Sequence, residues 1–244
     1  MIAYDLWPLS LYCIRNAVDF HPENLYDRVV KSDGLLCLKE GGVGEITEKK
    51  SRFIATLKPV GSEEEATAFI HEIKKKYWDA KHNCSAFVIG EGGLTRCSDD
   101  GEPAGTAGRP MLEVLTGAGL NNVCAVVTRY FGGVLLGTGG LVRAYQSAVK
   151  EGLKQCVIVR RIPGNVYMVE TDYNGAGKLQ YLFGKEGVIV QDSAYGASVI
   201  FTVVLRKEQE DPVLTQIADL TGGAAVATMV EKTTIEAPVT DWEA

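Results

Sequence analysis

Residues 123–153 read VCAVVTRYFGGVLLGTGGLVRAYQSAVKEGL, and the order of patterns in them decides the fold class. Val123–Thr128 is an apolar run without a charge, as expected of a strand buried on both faces. A glycine-rich loop follows, and from about Gly140 to Leu153 the spacing becomes helical. Leu141, Ala144, Tyr145, Ala148 and Val149 share one face, with Arg143, Gln146, Ser147 and Lys150 on the other.

The same alternation continues upstream. After Gly41-Gly42-Val43-Gly44 come strand candidates Glu45–Lys49 and Arg52–Val60. Ser62 and Glu65 form a capping box for a helix whose apolar face is Ala66, Phe69, Ile70, Ile73 and Tyr77. Lys74-Lys75-Lys76 closes that helix where cations suit its dipole, and reads as a solvated helix end. Ala86–Ile89 is a short strand, and residues 91–108 are a polar, glycine-rich loop too long for a mere connector. Pro110 opens a short helix through Leu115, stopped by Gly117 and Gly119.

Downstream, the pattern is strand (Val166–Thr171), helix (Gly177–Phe183), strand (Gly187–Asp192), strand (Ser198–Leu205), helix (Asp211–Leu220) and strand (Ala225–Ile235). That βαββαβ order is the ferredoxin-like split motif. The expected architecture is α+β in two domains, 41–160 and 163–238, divided near Arg160-Arg161-Ile162-Pro163-Gly164 where Pro-Gly punctuates the chain. Residues 1–40 stand apart as an N-terminal extension, in which Trp7, Leu9 and Tyr12 either pack on the core or stay loose.

The chain has 244 residues, 46% of them apolar and 23% charged, which excludes wholesale disorder and a disulfide mini-scaffold. Its net charge of −6 argues against indiscriminate nucleic-acid coating. The charge is uneven, however. Residues 41–158 carry 14 basic and 13 acidic residues, whereas residues 159–244 carry 7 and 12, so the first domain holds most of the positive charge. Six scattered cysteines without a CxxC suit a reducing cytoplasm, and His21, His71 and His82 complete no zinc spacing. No stretch approaches the roughly 18 apolar residues of a membrane span, so a cytoplasmic protein is expected.

Two stretches are candidates for chemistry: RCSDDGEPAGTAGRP (residues 96–110) and TRYFGGVLLGTGGLVRAY (residues 128–145). Each is a glycine-rich loop running into a helix start with arginines on both sides. Free backbone N–H groups, a helix dipole and guanidinium forks together make an anion site. Arg96, Arg109, Arg129 and Arg143 would supply the charge, with Lys81 and His82 nearby. An internal salt bridge between one of these arginines and Asp99, Asp100 or Glu102 is the competing explanation. The three acids invite a metal reading as well, but they miss the calcium-loop pattern, and turn formation or pairing with Arg96 or Arg109 explains them equally. Cys97 has basic neighbours able to lower its pKa, yet no histidine is placed as its base, and Ser98 lies in no nucleophile elbow. No catalytic constellation is complete, and no cofactor is expected.

These stretches, with KKSRFIA (residues 49–55) and HNCSAF (residues 82–87), resemble the signature of the YigZ/IMPACT family over roughly residues 40–160. The resemblance implies a left-handed βαβ first domain like domain IV of elongation factor G and a ribosomal protein, and a second domain like its domain V. Eukaryotic members act in translational control by binding the activator of an amino-acid-starvation kinase. They carry an added N-terminal RWD domain that this chain does not show, so that partner is not carried over. For bacterial members the resemblance implies an RNA- or ribosome-associated role. Arg109, Arg129 and Arg143 match the motif as phosphate contacts, and Thr138, Gly139 and Gly140 match it as backbone and hydroxyl donors. Tyr130 and Phe131 either stack a base or fill the core beneath the loop. Two alternatives stay open. One is a module docking a regulatory protein through the acidic second domain; the other is an enzyme on a small phosphorylated ligand, suggested by Leu136-Gly137-Thr138-Gly139-Gly140.

Overall fold

A computed structural model describes residues 34–90 and 92–239; Trp7, Leu9 and Tyr12 lie outside the described residues. The chain is α+β and forms two compact units. One runs to Arg161 and takes up the chain again from Glu236; the other is Ile162–Ile235.

The first unit is built on a five-stranded antiparallel sheet. Its strands are β2 (Gly42–Glu48), β3 (Ser51–Pro59), β4 (His82–Ile89), β5 (Leu94–Ser98) and β7 (Val123–Tyr130), in the spatial order β2-β3-β7-β4-β5. Helix α1 (Glu63–Lys76) covers one face, burying Phe69 and Ile73 against Phe87, Ile89, Cys124 and Val126. Helices α2 (Gly108–Gly117) and α3 (Thr138–Leu153) cover the other, where Met111, Leu115, Leu141, Tyr145 and Val149 meet Phe53, Ala55, Ala86, Ala125 and Val127. Alternate residues of β7 thus enter different cores, which is why its sequence is an unbroken apolar run. Ser62 caps α1 by accepting the Glu65 N–H, as its sequence requires.

Three features depart from the sequence reading. The loop at 91–108 contains an exposed edge strand, β5, paired with β4 from Ser85 to Ile89. Strand β1 (Leu35–Glu40), assigned on sequence to the N-terminal extension, buries Cys37 and Leu38. It pairs in parallel with β6 (Leu120–Asn121) and antiparallel with residues 157–161. The chain also passes the Pro-Gly punctuation inside one strand, β8 (Val157–Thr171). Its pairing with β1 ends at Arg161 and its pairing with the next strand begins at Gly164; Pro163, which has no N–H to donate, sits between.

In the second unit, β8 is followed by α4 (Tyr173–Glu186), β9 (Ile189–Tyr195), β10 (Val199–Arg206), α5 (Glu210–Thr221) and β11 (Val226–Pro238). The spatial order is β11-β8-β10-β9, the split-βαβ arrangement. Both helices pack on one face, where Leu179, Phe183, Val213 and Ile217 meet Val169, Phe201, Val203 and Leu205. Asp172 caps α4 by accepting the Gly175 N–H at 2.6 Å.

Candidate nucleic-acid interface

The two glycine-rich loops have opposite fates. In the first, Asp99 folds back onto the start of α2. One carboxylate oxygen accepts the N–H groups of Ala107 and Gly108 at 3.0 and 2.8 Å, and the other accepts that of Gly105 at 2.8 Å. Burial pushes this carboxyl up, but the three N–H donors prevail and hold it below its ordinary value. The N–H groups that the sequence offers for an anion are thus taken up by the protein's own Asp99. Gly108 is needed there for space, since a Cβ would lie 2.7 Å from the Ser98 backbone.

Arg129 is the second correction. Counting in twos along β7 from Val123 puts it at the end of the row that faces α2 and α3. Its guanidinium donates to Glu102 at 2.6 Å, and the two side chains are only 7% and 3% exposed. Tyr145 also donates to the same Glu102 oxygen, at 2.8 Å, and the Cys84 thiol contacts the Tyr145 hydroxyl at 3.3 Å. Burial pushes the Cys84 thiol up to about 12 and raises the Tyr145 hydroxyl further. The Phe53 and Phe131 rings lie 5.4 and 5.6 Å from the guanidinium carbon. Arg129 is thus a buried clasp between the two motifs, out of reach of a phosphate.

The remaining sequence candidates separate in the same way. Arg96 pairs with Glu63 at 2.9 Å and Arg109 with Glu113 at 3.3 Å, both on the surface. Asp100 accepts from Lys74 at 2.6 Å and from the Asn83 N–H, while its carbonyl contacts the His82 ring. The three acids thus turn to three different partners, and no group of three His, Cys, Asp or Glu side chains able to hold a metal occurs among the described residues. Cys97 is exposed, but its thiol stands above the ordinary value: burial raises it, Asp99 adds to that, and Arg109 opposes. The basic neighbours expected to activate it do not prevail.

The second loop stays open. Helix α3 starts after Gly137, with no side-chain cap among the described residues and no acid in its first turn. Thr138 and Gly139 are exposed and Gly140 partly so; exposed Arg143 shares the face of Gly139 and Gly140 at i+4 and i+3 spacing. Tyr130 is partly buried and donates to Asp79 at 2.8 Å, so it is neither a free platform nor a core residue. Phe131 covers Arg129 with one side and remains 56% exposed, and Leu135 beyond it is 82% exposed.

Sequence reasoning missed two neighbours of this loop. The β2–β3 hairpin closes through Lys49 and Lys50, both exposed and both in the left-handed region at φ 45° and 67°. Asn-Gly is the usual choice for such a turn. Gly132 packs directly on it: a Cβ would lie 2.0 Å from the Lys50 backbone, and its N–H donates to Ser51 at 3.2 Å. The two lysines are therefore fixed beside the open loop. The second omission is Trp78, 82% exposed in the turn after α1. The signal for it was an aromatic residue inside the KKKYWDAKH run.

No helix among the described residues is long and apolar enough to cross a membrane. The Impact N-terminal domain model matches residues 49–153, and a domain of unknown function, DUF1949, matches residues 169–224. The chain is 42% identical over 203 residues to the IMPACT family member YvyE of Bacillus subtilis, covering 83% of this chain and 94% of that protein. It is 39% identical over 188 residues to YigZ of Escherichia coli, covering 75% and 92%. A crystal structure of a hypothetical protein matches with TM-score 0.53 at 35% identity, covering 82% of this chain and 98% of that one. With relatives of this identity aligned over most of their length, and both domain models in order, the chain belongs to the IMPACT family.

Proposed function

We propose that the protein is a non-catalytic regulatory component of translation that recognises RNA or the ribosome through one end of its first unit. The observation that carries this reading is the contrast between the two helix starts. That of α2 is neutralised internally by Asp99, whereas that of α3 is exposed, has no acid in its first turn and is capped by no side chain among the described residues. Arg143 shares its face, and the Lys49-Lys50 turn is held against the same loop by Gly132. A dipole terminus, three cations and the exposed Phe131 ring favour an anionic ligand with flat apolar surfaces, as RNA has. Translation as the setting follows from the family resemblance of these motifs, whose eukaryotic members act in translational control.

The test is RNA affinity across a salt series. Each lost phosphate contact lowers the slope of log K against log salt by roughly 0.7–0.9. Arg143→Ala is expected to weaken binding and flatten the slope by about that amount. RNA binding whose strength and slope are unchanged in Arg143→Ala and Lys50→Ala variants would contradict the reading.

A second reading has its own observation. The sheet of the second unit carries both helices on one face, while Met168, Val226 and Val230, which alternate with residues on the core side of their strands, are exposed on the other. Such a face, in the acidic part of the chain, suits a protein partner. A pull-down that resists nuclease and is lost on deleting residues 163–244 would favour it.

A further inference from the structure

We propose that Trp78 and the lysines around it form a stacking platform for an unpaired base of single-stranded RNA, a contact separate from the α3 loop. This rests on the RNA reading above and adds a site to it. Trp78 is 82% exposed, and no contact among the described residues gives it a fold role, because the α1 core is already filled by Ala66, Phe69 and Ile73. Its backbone is nevertheless held in place. Helix α1 ends at Lys76, the Ala80 N–H donates to the Tyr77 carbonyl at 3.0 Å, and the neighbouring Asp79 accepts the Tyr130 hydroxyl at 2.8 Å. The indole therefore projects from a fixed turn, so little backbone freedom is lost on binding.

Charge surrounds it. Lys75 is three residues before and Lys81 three residues after, both exposed, and Lys76 lies over the Tyr77 ring at 5.2 Å. Lys74 pairs with Asp100, and Lys75, Lys76 and Lys81 outnumber Asp79, so the patch is net positive within a chain of net charge −6. The helix dipole accounts for lysines at this position, but not for an exposed tryptophan among them. An aromatic face ringed by cations fits a base and its flanking phosphates, and only an unpaired base offers a free face. The Tyr130–Asp79 bond ties this turn to the residue preceding Phe131, so a strand bound at the α3 loop has a second aromatic within the same end of the unit.

The experiment uses the full chain with Trp7→Phe and Trp242→Phe, leaving Trp78 as the only tryptophan, titrated with oligouridylate and followed by indole emission and by fluorescence anisotropy of labelled oligonucleotide. Stacking predicts quenching on binding and a loss of about 5- to 150-fold in affinity for Trp78→Ala. Trp78→Phe should retain most of the affinity, and Lys75→Ala and Lys81→Ala should each flatten the salt dependence. Binding that Arg143→Ala weakens but Trp78→Ala does not, with no quenching, overturns the platform and leaves the general RNA reading standing. Absence of binding to any RNA by the parent overturns both. Equal competition by duplex RNA, or displacement by polyglutamate at matched charge, also overturns it, in favour of a duplex or an acidic protein.

Discussion

Replacing Arg129 by Met tests whether the most prominent arginine of the second motif holds the fold or binds a ligand. In the structure the Arg129 and Glu102 side chains are 7% and 3% exposed and 2.6 Å apart. Methionine retains the stem packing but strands the Glu102 carboxylate, with only Tyr145 still donating to it. Breaking a buried pair from one side typically costs about 3–5 kcal/mol, whereas a surface pair is worth about 0–1 kcal/mol. For a chain of this size that is a fall in melting temperature of about 6–20 °C. Arg129→Met with Glu102→Gln removes both charges together, and its cost should fall well below the sum of the two single variants. The assay is thermal or urea unfolding of the four proteins, with RNA affinity measured at a temperature where each is folded. A loss below about 1 kcal/mol, or a folded Arg129→Met that binds RNA much more weakly, would refute the clasp and return Arg129 to the interface.

The other expectations are read out separately. Lys49→Asn with Lys50→Gly relieves a left-handed strain of about 1–2 kcal/mol per residue, so the melting temperature should rise by a few degrees while RNA affinity and salt slope fall. The folded-state pKa of Asp99 is depressed, so its stabilisation is present above its unfolded value near pH 4 and is lost as pH falls through the folded one. Asp99→Ala should flatten that acid limb and, as lost caps do, cost about 0.5–2 kcal/mol at pH 7. Among the described cysteines, exposed Cys97 should react first with a thiol reagent at pH 8. Buried Cys84 and Cys124, each pushed up to about 12, should react only on unfolding; fast labelling of either in the native state would contradict the core described above.

Local pattern made much of the fold legible. The apolar run of β7, the capping box of α1 and the βαββαβ order of the second unit each follow from residues near one another in sequence. Strand β1 was not legible, because Leu35-Leu36-Cys37-Leu38 is short and its partners lie about 80 and 120 residues away. Strand β5 was hidden by its exposure, which removes the apolar alternation that marks a strand. At the candidate site, the N–H groups of the first loop were visible in the sequence but their acceptor was not, since nothing local distinguishes Asp99 as a cap from Asp99 as a ligand. Arg129 was decipherable in principle. It falls two residues beyond Val123, Ala125 and Val127 on the buried face, and that parity outweighs the surface habit of arginine. Lys49, Lys50 and Trp78 gain meaning only from what the fold brings beside them.

The central claim is that the open end of the first unit engages the translation machinery, and co-sedimentation with ribosomes across a salt series tests it most directly. The parent chain should pellet with ribosomes at low salt and be released as salt rises. The Lys49→Ala/Lys50→Ala/Arg143→Ala variant, with an unchanged melting profile, should remain in the supernatant. Equal pelleting of the two proteins at every salt concentration, or no pelleting of the parent at low salt, would contradict the account.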